Sequence, residues 1–162
     1  MKKVGLVLLA AAALHPGLSR DDLTFFATRR AELETWLADI PHEARLHTAD
    51  EALFSKLDEL LVWTDEVSLG LLTKVLHRKR PALIPLVDRV VLDWYRPVTG
   101  ERSANAAWPK LTRQFWGEDE EDRKYNLFVT VMAAVKLSSE LGDAYPSPVR
   151  AADIALWMGA QR

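Results

Sequence analysis

The sequence predicts an all-α protein, a single compact domain of seven or eight helices over residues 1–162. Two observations carry that expectation. Leu, Ala, Glu, Arg and Lys dominate the composition, and strand-type alternation of apolar and polar residues is scarce. Stretches of apolar residues at helical spacing, opened by Ser, Thr or Asp and closed by Pro or Gly, recur along the chain. With 49% hydrophobic and 27% charged residues and seven Gly, the chain has the make-up of one ordinary globular domain, without repeats or low-complexity linkers.

The formal net charge is −2, so the protein as a whole does not attract nucleic acid, and any such binding needs a local patch. The absence of Cys removes disulfides and thiolate ligands and fits a reducing, cytoplasmic compartment. Lys2 and Lys3, followed by the apolar run to Ala13, have the layout of a signal peptide over residues 1–14, which would make the protein secreted. The expectation adopted is instead a first core helix, because the run is too short to span a bilayer.

His15-Pro16-Gly17 ends that first segment. Ser19 with Asp22 makes a capping-box variant, followed by Leu23, Phe26, Arg30, Leu33 and Leu37 on one helix that Ile40-Pro41 stops. Thr48 with Glu51 is expected to open a helix facing inward through Leu53, Leu57, Leu60 and Leu61 and ending near Trp63. Thr64 or Asp65 is expected to cap the next, which runs through Leu71, Leu72, Val75 and Leu76 until Pro81 forbids continuation. Pro85 biases Ile84 away from helical angles, so 82–86 should be extended. Asp88 caps a helix with Val90, Val91 and Trp94 that Pro97 terminates, and 98–105 is a polar connection. A short helix over 108–116 ends at Gly117. The acidic run at 118–122 heads a long helix closed by Gly142, where acids at a helix start are stabilised by its dipole. A rigid loop around Pro146 and Pro148 leads to the final helix, with Ile154, Leu156 and Trp157.

No Gly-rich phosphate loop, HExxH, EF-hand or GxSxG motif occurs, so no cofactor is called for. The four histidines are scattered, with none paired at metal-ligand spacing, and no metal site is expected. The six tryptophans read as packing residues.

The informative stretch is Thr73–Asp88, TKVLHRKRPALIPLVD. Lys74, Arg78, Lys79 and Arg80 fall within its first eight residues, with His77 among them. Lys74 lies on an apolar helix one turn before Arg78, so the two share a face. Leu71, Leu72, Val75 and Leu76 would strip water from its amine while Arg78 and Lys79 repel its charge, the two effects that make a lysine a usable nucleophile. Asp88 comes back to it if the chain reverses between Pro81 and Pro85, where a carboxylate would face a developing cation. The plainer reading is that Lys74 reaches out to solvent and Asp88 only caps its helix.

Lysine on a helix, a Pro-rich turn and then Ile84-Pro85-Leu86-Val87-Asp88-Arg89-Val90 resembles the signature of the helix-hairpin-helix DNA glycosylases. The resemblance implies that Lys74 attacks the sugar carbon of a flipped nucleotide and that Asp88 stabilises the oxocarbenium-like transition state. It also implies that Gly70, in the hairpin before Lys74, and the cations Arg78, Lys79, Arg80 and Arg89 with His77 hold DNA. The run KVLHRKRPALIPLVDRVV, with the ending VRAADIALWM, more closely resembles an uncharacterised bacterial family of unknown function, from about Asp21 onward. A glycosylase-like DNA-binding protein, active or inactive, is thus one reading. The other is a non-catalytic helical interaction module whose basic cluster docks an acidic protein partner, including the 118–122 run of another copy. A Schiff-base enzyme acting through Lys74 on a small molecule ranks below both. None of these involves a membrane, and the sequence leaves oligomeric state open.

Overall fold

The computed structural model describes residues 18–114 and Arg150; the helices expected at the N-terminus, over 118–142 and at the C-terminal end lie outside the described residues. Ser19 opens the first helix as its sequence predicts. Its hydroxyl oxygen accepts from Asp22 N at 3.1 Å, and Asp22 Oδ2 accepts from Ser19 N at 2.9 Å. This helix, α1 (Arg20–Thr28), buries Phe25 and Phe26 edge-to-face with centroids 5.1 Å apart. It does not continue to Ile40. The chain breaks at Arg29, and α2 (Arg30–Ala38) starts afresh, burying Leu33, Trp36 and Leu37. Thr24 and Thr28 bond their hydroxyls back to carbonyls four residues earlier, a contact that bends and ends helices. Arg29 then fastens the break by ion pairs to Glu32 at 3.0 Å and Glu66 at 2.8 Å.

A 3₁₀ turn (Leu46–Thr48) precedes α3 (Glu51–Asp58). Asp50, not Thr48, is the cap: Asp50 Oδ1 accepts from Leu53 N at 2.8 Å. The helix then tightens into a second 3₁₀ segment (Glu59–Trp63). Tightening strands carbonyls at the end of α3, and two indoles satisfy them. Trp36 Nε1 donates to Lys56 O and Trp108 Nε1 to Leu57 O, both at 3.2 Å.

The central element is α4 (Leu69–His77), capped by Ser68 rather than by Thr64 or Asp65, which sit in the preceding turn. All its residues are buried except Gly70 and Lys74. A helix apolar nearly all round belongs inside a protein, and these two exceptions stand one turn apart on one face.

The last two described helices are α5 (Arg89–Thr99) and α6 (Ala104–Gln114). Asp88 caps α5 as expected, but Pro97 does not terminate it. Proline forfeits one helical hydrogen bond without forcing an end; the stop comes at Gly100, whose φ of 68° only glycine adopts freely. Likewise α6 begins before Trp108, and Pro109 lies inside it. Arg113 on α6 clasps α3: Nη2 donates to Glu51 Oε1 at 3.0 Å, Nη1 lies 3.0 Å from Asp58 Oδ2, and the guanidinium stacks 5.3 Å from the Phe54 ring centroid. The fold is all-α, and among the described residues no helix is long and apolar enough to cross a membrane.

Candidate functional site

After His77 the chain turns, and residues 84–88 run back along α4 as a strap. The buried His77 ring meets Ile84 O at 2.6 Å through Nδ1, which must carry the proton because a carbonyl only accepts. One turn earlier, the fully buried Thr73 hydroxyl donates to Gly70 O at 3.2 Å and accepts from Val87 N at 3.3 Å. One turn earlier still, a Cβ on Gly70 would lie 2.8 Å from Val87 O. The register is arithmetic: the helix from Gly70 to His77 rises about 10.5 Å, and extended chain from Ile84 to Val87 covers about 10 Å. Glycine at position 70 lets the strap's end press against the helix. The next residue is Asp88.

Asp88 divides its two oxygens. Oδ1 accepts from Val91 N at 3.1 Å and caps α5, while Oδ2 lies 4.0 Å from Lys74 Nζ. Asp88 thus caps its helix and also lies beside the Lys74 amine. Lys74 and Asp88 lie in an open groove of about 640 Å³ between the start of α4, one side of α5 and the start of α6. Leu71, Val87, Leu92 and Ala104 supply its apolar surface. The Lys74 side chain is 34% exposed, so the amine is wetter than its apolar neighbours in sequence imply, and it faces a carboxylate.

Among the described residues, four cations, Lys74, Arg89, Arg96 and Arg102, line this groove with two carboxylates, Asp88 and Asp93. Arg89, Asp93 and Arg96 follow each other along one face of α5. Asp93 lies between the two arginines, 3.7 Å from Arg89 Nε and hydrogen-bonded to Arg96 Nη2. In a chain of net charge −2, this is a local excess of positive charge on a concave surface.

The other expected residues are distributed differently. Arg78 and Lys79 stand past the end of α4, outside the groove lining, with Arg78 exposed and Lys79 half-buried. Arg80 turns inward: Nη2 donates to Leu37 O at 3.0 Å and Nη1 to Lys79 O at 3.1 Å, while Nε is buried without a hydrogen-bond partner. It staples the turn after α4 to the end of α2 and so leaves the surface cluster. His77 leaves it too. Burial pushes its ring below the usual histidine range, against the opposing effect of the Ile84 carbonyl, and Arg150 and Arg78 push the same way as burial. Gly70 sits in the first turn of α4 instead of in a hairpin loop, and the segment before it is a 3₁₀ helix and turn. Arg96, Arg102, Asp93 and Thr73 are the residues that sequence reasoning missed. The first and third were accessible from the i, i+4, i+7 spacing that they share with Arg89. Among the described residues, no three His, Cys, Asp or Glu side chains cluster as a metal site would require.

No curated protein and no solved structure matches the chain. Residues 7–160 match a family of unknown function, DUF6308, and the chain, with its Lys74–Asp88 groove, belongs to that family.

Proposed function

We propose that the groove binds DNA by its phosphates and presents Lys74 to a sugar carbon, in the manner of a DNA glycosylase. The observation that carries this reading is the meeting of Lys74 and Asp88, 4.0 Å apart, in a groove rimmed by Arg89, Arg96 and Arg102. Guanidinium groups match phosphate geometry in pairs, and release of counterions makes such contacts strongly dependent on salt. In the chemical step the bond from C1′ to the base breaks and its electron pair leaves with the base. The Lys74 nitrogen, entering as the neutral amine, bonds C1′ and gives up a proton that the departing base takes. Asp88 is placed to stabilise the positive charge that develops on the sugar. Ring opening then leaves an imine between Lys74 and C1′.

The test is borohydride trapping on duplexes carrying an abasic site or damaged bases. The expected result is a covalent adduct with the wild type that Lys74→Ala abolishes. An adduct that survives Lys74→Ala removes Lys74 from the chemistry. Salt-sensitive DNA binding without any adduct leaves a DNA-binding protein that is not a lysine-dependent glycosylase.

A further inference from the structure

Asp93 has no part in the reading above, yet it stands between two of the groove's arginines. Its carboxylate is bonded to Arg96 and lies 3.7 Å from Arg89, on the face of α5 that lines the groove. The three side chains are about half exposed or more, so nothing in the packing requires the acid there: their exposures are 94% for Arg89, 47% for Asp93 and 50% for Arg96. Near Arg102, by contrast, no carboxylate lies within ion-pair distance among the described residues. Among the described residues, one arginine on the rim is thus without a carboxylate partner, and two stand beside an internal anion.

We propose that Asp93 is a built-in competitor that sets the strength of phosphate binding in this groove, an inference that rests on the DNA-binding reading. A phosphate that reaches Arg96 either displaces the carboxylate or shares the guanidinium with it. In the shared arrangement two anions stand about 5 Å apart in a water-like dielectric, which weakens binding by about three- to tenfold at low ionic strength. The groove therefore favours a ligand that bridges Arg102 and α5 with successive phosphates over a lone monoanion, which gains too little to compete.

Asp93→Asn retains the size and one hydrogen-bond acceptor while removing the charge, and Asp93→Glu retains the charge. Binding of a short fluorescein-labelled duplex is measured by anisotropy over a salt series, with circular dichroism as the check on folding. Asp93→Asn is expected to bind about three- to tenfold more tightly at low salt, with a log–log salt slope steeper by about one, because an additional cation is free to contact phosphate. Asp93→Glu should match the wild type. A purely structural role for Asp93 would not steepen the slope. If the wild type binds and Asp93→Asn has the same or weaker affinity with an unchanged slope, the competitor role is overturned and the DNA reading stands. If neither protein binds DNA at any salt concentration, both are overturned.

Discussion

Gly70→Ala probes the contact that puts Asp88 beside Lys74. The added methyl would lie 2.8 Å from the Val87 carbonyl oxygen, where ordinary contact begins at 3.4 Å, so the strap must retreat by about 0.6 Å. The obstacle is backbone, not the end of a flexible side chain, and the strap is tied to α4 at both Ile84 and Val87. A retreat of that size stretches the 3.3 Å bond from Val87 N to Thr73 past useful length. Overpacking of this kind costs about 1–3 kcal/mol and a lost hydrogen bond about 1 kcal/mol. Alanine's better helix propensity returns about 1 kcal/mol. The net expectation is a loss of about 1–3 kcal/mol. With a urea dependence of about 2 kcal/mol per M, the unfolding midpoint should fall by about 0.5–1.5 M. Tryptophan fluorescence during urea titration reads this directly. A midpoint at or above that of wild type would refute the close approach, and with it the account of how the strap is registered. Loss of DNA affinity at unchanged stability would instead return Gly70 to the phosphate-gripping role that the glycosylase resemblance implies.

Thr73→Val keeps the shape but leaves the buried Val87 N–H without an acceptor; it should cost about 1–3 kcal/mol in urea unfolding, and Thr73→Ser distinctly less. Asp88→Ser keeps a capping oxygen and removes the charge, whereas Asp88→Ala removes both. The alanine variant should be less stable than the serine variant by about 1 kcal/mol, while both should lose whatever activity depends on the carboxylate facing Lys74. His77 is held neutral by burial, so its folded value lies below the ordinary 6.5. Between that folded value and about 6.5 the unfolded chain binds a proton that the native one does not, and stability falls by up to about 1.4 kcal/mol per pH unit as the solution is acidified. Above 6.5 the contribution is fully present. Urea midpoints measured from pH 7.5 to 5.5 should show that slope in the wild type and a flatter one in His77→Gln.

How much of this was legible in the sequence follows from which residues act locally. Ser19 and Asp88 announce helix starts because a cap is a contact across three residues, and both are caps in the fold. The break at Arg29 was not legible: hydroxyl back-bonds like those of Thr24 and Thr28 also occur inside unbroken helices, as at Thr35, and the ion pair that fastens the break reaches Glu66, far along the chain. Nor were the shifted caps: Asp50 and Ser68 compete with equally plausible neighbours, and tertiary packing chooses between them. The reversal that returns Asp88 to Lys74 was foreseeable from Pro81 and Pro85. The strap that enforces it was not, because Gly70 and His77 read as DNA-contacting residues and Thr73 as an ordinary helix residue until Val87 and Ile84 are set against them. Charge density along the chain pointed to Arg78, Lys79 and Arg80, yet the groove draws its arginines from α5 and the loop before α6. Arg89 was singled out from the sequence, and its spacing to Asp93 and Arg96 on one helical face is what connects it to a second groove arginine.

Salt-dependent binding of paired variants decides whether duplex DNA seats in the groove, as proposed, or at the cationic end of α4. Arg96→Gln combined with Arg102→Gln should weaken duplex binding and flatten the log–log salt slope by about one, since Asp93 withholds Arg96 from full phosphate contact in the wild type, while Arg78→Gln combined with Lys79→Gln should leave most of the slope intact. The opposite pattern, with the slope lost at Arg78 and Lys79 and retained without the groove arginines, would contradict the account.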